Sequence, residues 1–194
     1  YLPFILMFLA LILRAVALEF RAHSPNEAIK RWVDGALLCG SLLAGAIQGV
    51  VLGTLVQGVP HQGSQYTGSG VEWLGAFPLF CGVVLVLAYT WLGACWLYWR
   101  TVDDLQRRCA RQARVLALIT VMLLIVLVIW TATLQAQYMQ RLTDIRVWAP
   151  TLTVIAILSA VFWSGFRSRF DGVPLFAALG VFVGGFDEAA AAEV

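Results

Sequence analysis

Six long apolar stretches, separated by short polar segments, constrain the fold of this chain more than any other feature. An α-helix needs about 20 apolar residues to cross the hydrocarbon core of a bilayer. Hydrophobic residues make up 61% of the chain and charged residues only 12%, about half the charged share of a soluble domain. The pattern predicts an all-α, polytopic transmembrane bundle that forms a single domain over residues 1–194. The predicted spans, about five full ones and a short or truncated sixth, are residues 1–20, 33–59, 71–99, 115–136, 147–166 and 173–186.

Basic residues are distributed unevenly over the connecting segments. Segments 21–32, 100–114 and 167–172 together carry ten Lys and Arg residues, whereas segments 60–70 and 137–146 carry two. Cytoplasmic loops of membrane proteins are enriched in Lys and Arg, so we predict that the first three segments are cytoplasmic loops. The formal net charge of +2 is too small to indicate a nucleic-acid partner. We predict that the chain lies mainly in the lipid bilayer.

Two charged side chains, Arg14 and Glu19, lie near the cytoplasmic end of the first apolar stretch. A charge in hydrocarbon costs about 2.5–3.5 kcal/mol even on the most lenient insertion scale. Five residues of helix turn through about 500°, so these side chains point about 140° apart and do not form an i,i+4 pair. In one interpretation Arg14 extends its head to the headgroups and Glu19 is an interfacial carboxylate beside Arg21. In the other, both face a neighbouring helix or a polar channel and mark a proton or ion path.

The second apolar stretch carries small residues at helical spacing. Gly45, Gly49 and Gly53 recur every four residues, and Ser41 lies one step earlier. Small residues at this spacing allow the backbone of another helix to approach closely. We therefore predict that Ser41, Gly45, Gly49 and Gly53 form a helix-packing ridge.

No catalytic or metal-binding pattern is present in the sequence. The four cysteines include no C-x-x-C pair, which argues against a metal or redox site, and we interpret them as packing residues. The histidines, His23 and His61, both fall in predicted loops, so no histidine is placed at membrane depth to ligate a haem. H-E-x-x-H, G-x-S-x-G and P-loop motifs are also absent. The sequence therefore predicts no catalytic residues and no cofactor bound by this chain.

Three blocks of sequence nevertheless resemble a known family. They are YLPFILMFLALILRAVALEFR, RWVDGALLCGSLLAGAIQGVVLGTLVQGVP and AFPLFCGVVLVLAYTWLGACWLYWRTVDDLQRRCARQA. Together they resemble subunit II of the cytochrome bd-type ubiquinol oxidases, including their cyanide-insensitive branch. The resemblance covers residues 1 to about 120, and beyond that point only the hydropathy is similar.

The resemblance implies a haem-free membrane subunit of a terminal oxidase in the bacterial inner membrane. Its partner would be subunit I, which carries b-type and d-type haems in this family, and the complex would oxidise quinol, reduce oxygen to water and take protons from the cytoplasm. Subunit II of some members holds a structural quinone. The resemblance also implies that Glu19 belongs to a proton path and that Arg14 orients groups along it.

The sequence departs from the family pattern in three places, one of which is the ending DEAAAAEV, where the family continues with further helices. The first two helices of the family, with their acidic residues, are missing. We therefore expect this chain to be a fragment or to be incomplete. The Trp-Asp pair that opens the next helix of the family appears as Trp32-Val33-Asp34, which leaves the role of Asp34 open. The alternative functions are a transporter or channel subunit in which Arg14 and Glu19 line a polar path, and a purely structural membrane scaffold.

Overall fold

Four long α-helices make up most of the residues that the structure describes. The computed structural model describes residues 1–23, 26–58, 61–62, 65–66, 68, 70–134, 162 and 173–180. The helices are α1 (Leu2–His23), α2 (Glu27–Gln57), α3 (Ala76–Arg100) and α4 (Asp103–Leu134), and residues 173–180 are also helical. Each long helix is apolar enough to cross a membrane. The predicted all-α, polytopic membrane bundle is confirmed.

The first four predicted spans each correspond to one long helix. The fifth, residues 147–166, lies outside the described residues except for Phe162, and the sixth, residues 173–186, is described only over its helical part, residues 173–180. The described chain divides into two compact units, residues 1–87 and residues 88–194, with the division inside α3. A single domain over the whole chain stays a prediction.

Two predicted cytoplasmic loops are largely helical, and their description as loops was wrong. α2 begins at Glu27, inside segment 21–32, and α4 begins at Asp103, inside segment 100–114. A helix of 31 residues such as α2 is about 46 Å long, whereas the hydrocarbon core is about 30 Å thick. The charged first turns therefore continue the helices into the polar phase, where Lys, Arg and Glu are good helix formers.

The start of α2 is stabilised by an Asn26 side-chain cap, which is common at helix N-termini, and by an ion pair in the first turn. The side chain of Asn26 accepts a hydrogen bond from the backbone N–H of Ala28 at 3.2 Å, which satisfies one of the unpaired donors of the first turn. Lys30 donates to Glu27 Oε1 at 2.8 Å. Most of segment 21–32 is thus helical.

Only Thr101 and Val102 separate α3 from α4. The chain reverses there with Asp103 at a φ of 59°, the left-handed region that most L-residues avoid and that Asp tolerates better than most. The backbone N–H of Thr101 donates to Leu97 O at 3.0 Å, which closes the last turn of α3.

The connection between α2 and α3 is turn-rich, as its composition predicts. Gly58, at a φ of 86°, ends α2, and two short strands, β1 (His61–Gln62) and β2 (Gln65–Tyr66), pair antiparallel with His61 opposite Tyr66. A 3₁₀ turn over Glu72–Leu74 precedes α3. α3 therefore begins five residues after the predicted span start at residue 71, because Gly70 and Gly75 flank this separate turn.

Within the first unit, small residues bring α1 and α2 together. α1 buries Pro3, Ala10 and Ala17, which recur every seven residues and form one stripe along the helix. A Cβ atom placed on Gly40 of α2 would lie 3.0 Å from the carbonyl oxygen of Ala10 and 3.2 Å from the backbone nitrogen of Arg14. Glycine at this position allows the two backbones to approach this closely.

α2 meets α3 through the glycine ridge. A Cβ atom placed on Gly49 would lie 2.6 Å from the carbonyl oxygen of Cys81, and one on Gly53 would lie 2.7 Å from Pro78 Cα. The approach is reciprocal, because a Cβ atom on Gly82 of α3 would lie 2.7 Å from the carbonyl oxygen of Ala46. Gly45 is buried and Ser41 half-buried.

The second unit has an aromatic and alanine-rich core. Trp91 and Cys95 of α3 pack with Ala113 and Ala117 of α4 in one cluster, which also includes Phe162, Leu175, Ala177 and Ala178. Trp91 meets Phe162 edge to face, with ring centroids 5.4 Å apart. Small side chains on α4 thus accommodate the large indole of α3.

We expect Gly49→Ala to destabilise the protein by about 1–3 kcal/mol, because its methyl group would overlap the α3 backbone. Gly35→Ala is the matched control on the same helix, since a Cβ atom there meets nothing within 4 Å. That change is expected to be neutral or to stabilise by about 0.5–1 kcal/mol. Thermal unfolding in detergent measures both variants, and equal melting temperatures would contradict the close α2–α3 approach.

Asp103→Val should destabilise the turn between α3 and α4 by about 1–2 kcal/mol, because a β-branched residue is strained at positive φ. Asp103→Gly removes the same carboxylate without that strain and serves as the control. Thermal unfolding of the two variants separates backbone strain from loss of charge. A valine variant as stable as the glycine variant would show that the turn does not require a positive φ.

Candidate functional site: the charged end of the first helix

Arg14 lies beside the contact between α1 and α2. It follows Ala10 by four residues and precedes Ala17 by three, so its Cα lies on the face that packs on α2. A Cβ atom on Gly40 would lie 3.4 Å from Arg14 Cβ, while the Arg14 residue as a whole is exposed. Among the described residues, the structure gives the guanidinium no hydrogen bond or ion pair. The side chain therefore leaves a tightly packed backbone and extends to the surface of the chain.

Glu19 lies on the opposite face of α1. It follows Ala10 by nine residues, and nine residues turn a helix through about 900°, which is half a turn away from the buried stripe. Its side chain is 77% exposed. Glu19 thus points away from α2, and its side chain does not contact Arg14.

His23 is the nearest titratable neighbour of Glu19. Its Nδ1 atom lies 3.1 Å from the Glu19 carbonyl oxygen and 3.6 Å from Glu19 Oε1. His23 was predicted to lie in a loop, but it is the last residue of α1, one helical turn beyond Glu19. The i,i+4 spacing was visible in the sequence, although the extent of the helix was not.

Arg21, near the C-terminal end of α1, and Asp34, in the N-terminal part of α2, form an ion pair. Arg21 Nε donates to Asp34 Oδ1 at 2.5 Å, with both side chains about half exposed. Arg21 follows Ala17 by four residues and so faces α2, whereas Glu19 does not. The structure thus pairs Arg21 with Asp34 of α2, and the interpretation of Glu19 as an interfacial carboxylate stays open.

Arg14 differs chemically from Glu19 and His23. An arginine guanidinium is a fixed positive charge, so Arg14 can orient water or carboxylates. Carboxylates and imidazoles are the kinds of group that exchange protons with water. Glu19 and His23 place one group of each kind a helical turn apart on the exposed side of α1.

Metal binding finds no support in the part of the chain that the structure describes. No group of three or more His, Cys, Asp or Glu residues is close enough there to hold a metal ion. The cysteines described, among them the buried Cys81, Cys95 and Cys109, are all free thiols.

We expect the Arg21–Asp34 pair to contribute about 0.2–1 kcal/mol to stability, because half-exposed ion pairs are screened by water. Asp34→Asn, Arg21→Gln and the double variant form a mutant cycle whose coupling energy can be measured by thermal unfolding. Glu27→Gln with Lys30→Gln provides a matched cycle within α2. A coupling energy of zero would show that this pair does not hold the ends of α1 and α2 together.

Comparison with known proteins gives one consistent result. A family model described as cytochrome bd terminal oxidase subunit II matches residues 1–192. A protein of Haemophilus influenzae named "Probable cytochrome oxidase subunit 2" is 30% identical over 135 residues, which cover 67% of this chain and 36% of that protein. The chain thus spans about a third of the curated relative it matches. The described part of the chain contains four helices able to cross a membrane, and because the family model matches almost the whole length, the chain belongs to the cytochrome bd terminal oxidase subunit II family.

Proposed function

We propose that this chain is a haem-free membrane subunit of a bd-type terminal quinol oxidase in the bacterial inner membrane. Its partner is the haem-bearing subunit I, and the complex oxidises quinol and reduces oxygen to water with protons taken from the cytoplasm. The observation that carries this proposal is the family match over residues 1–192. The same match favours the oxidase over the transporter or channel alternative.

In this proposal the chain itself contributes binding surface and proton transfer. The b-type and d-type haems, held by subunit I, supply electron transfer and oxygen chemistry when bound. The face of α1 opposite its buried stripe includes the exposed apolar residues Ile5, Phe8 and Ile12, so it is available to pack against subunit I or lipid. A structural quinone within this subunit remains part of the proposal.

Glu19 is the proposed proton carrier at the cytoplasmic mouth. Its carboxylate accepts a proton from cytoplasmic water and releases it towards subunit I. Two features support this role: the carboxylate is largely exposed on the α1 face away from α2, and His23 Nδ1 lies 3.6 Å away as a second proton-exchanging group. Arg14, five residues deeper, provides a fixed positive charge that stabilises anionic groups and orients water along the route.

Glu19→Gln should lower quinol-dependent oxygen consumption by about tenfold or more, because glutamine cannot transfer protons. The b- and d-type haem absorption bands should keep their wild-type intensity. Glu27→Gln is the matched control, since Glu27 is also an exposed acid (79% for its side chain) near the same helix ends but pairs with Lys30. That variant is expected to turn over at the wild-type rate.

Each possible outcome of these measurements tests a different part of the proposal. Wild-type turnover in Glu19→Gln would remove the relay role while leaving the oxidase assignment intact. Loss of the haem bands would show that Glu19 acts in assembly instead of proton transfer. A colourless wild-type complex, without b- or d-type haem, would contradict the oxidase assignment itself.

A further inference from the structure

The first turns of α4 carry a positively charged face, the α4 arginine face, formed by Arg107, Arg108, Arg111 and Arg114. The opposite side of the helix buries small residues, namely Ala110, Ala113, Ala117 and Thr120. At 100° per residue, the four arginines lie about 100° to 220° around the helix from Ala113. They therefore point away from the α3–α4 packing of the second unit.

The α4 arginine face lies at the level of the lipid headgroups. The uncharged, apolar part of α4 begins at Val115, and each residue before it adds about 1.5 Å. Arg111 is thus about 6 Å, and Arg107 about 12 Å, beyond that boundary, whereas the headgroup layer is about 5–8 Å thick on each side. The Arg107 and Arg111 side chains therefore begin in or just outside the headgroup layer.

Aromatic residues at the end of α3 mark the same boundary independently. Trp96 and Trp99 pack edge to face with centroids 5.3 Å apart, and the Arg100 guanidinium lies 5.9 Å from the centre of the Trp96 ring. Trp residues concentrate at membrane–water interfaces. Because only two residues link α3 to α4, the first turns of α4 lie close to this belt along the chain.

Within the residues that the structure describes, Arg107, Arg108 and Arg111 have little compensating negative charge. Asp104 Oδ1 lies 4.0 Å from an Arg107 nitrogen, and both side chains are largely exposed. Among the described residues, Arg108 and Arg111 have neither an ion pair nor a hydrogen bond, and both are exposed. A partner with negative charge at headgroup depth would complement this face.

We infer that the α4 arginine face binds the phosphate groups of anionic phospholipids in the adjacent leaflet. The planar guanidinium presents paired N–H donors that match phosphate oxygens, and Arg107 and Arg111, one turn apart, can hold one headgroup between them. The occupant is a lipid such as phosphatidylglycerol. This inference does not depend on the proposed oxidase activity.

The test uses the intact complex in nanodiscs of phosphatidylcholine alone or with phosphatidylglycerol. Phenylglyoxal modifies accessible arginines, and mass spectrometry locates the modified residues. We expect Arg107 and Arg111 to be labelled in phosphatidylcholine and protected severalfold when phosphatidylglycerol is present. Protection in both lipids would mean that another protein subunit covers the face, and labelling in both would mean that no lipid binds; either result would overturn the inference.

Matched variants distinguish a site from general charge attraction. Arg107→Gln with Arg111→Gln should lower the affinity of the complex for phosphatidylglycerol, measured by native mass spectrometry, by about fivefold for each arginine removed. Gln keeps the helix propensity of Arg, so α4 should stay folded. Lys30→Gln with Arg31→Gln removes the same charge from the start of α2 and should change the affinity little. An equal loss in the two double variants would show that only net charge matters and would exclude a site on α4.

Discussion

Close approach between helix backbones is the constraint on which the described fold depends. Lipid tails are as apolar as leucine, so burial of apolar side chains gives transmembrane helices little reason to associate, and packing at short distance must hold them together. Gly40 permits this distance between α1 and α2, and Gly49, Gly53 and Gly82 permit it between α2 and α3. Larger side chains at these positions would separate the helices and weaken the dispersion contacts between them.

The same packing decides where the charges of α1 point. Because Ala10 and Ala17 face α2, helical geometry brings the Arg14 backbone into the contact and turns Glu19 to the opposite side. Arg21, one turn after Ala17, reaches Asp34 of α2. One helix therefore directs one charge towards its neighbour within the chain and another towards its surroundings.

Helices that extend beyond the bilayer organise the polar ends of the chain. Both α2 and α4 begin with charged turns that continue the spanning helix instead of forming loops. A rigid helix fixes the angular position of each charge, whereas a loop would not. This continuity gives α4 a defined arginine face opposite its buried alanines, and it places His23 one turn from Glu19.

The sequence by itself determined the membrane class, the all-α fold, the first four spans and the resemblance to the oxidase subunit, because length and hydropathy decide whether a helix can cross a bilayer. It also indicated the glycine ridge at Gly49 and Gly53. Only the tertiary structure decided that this ridge meets α3 and that Arg21 pairs with Asp34. Those outcomes depend on which helices are neighbours and on how each is rotated about its axis, and hydropathy specifies neither.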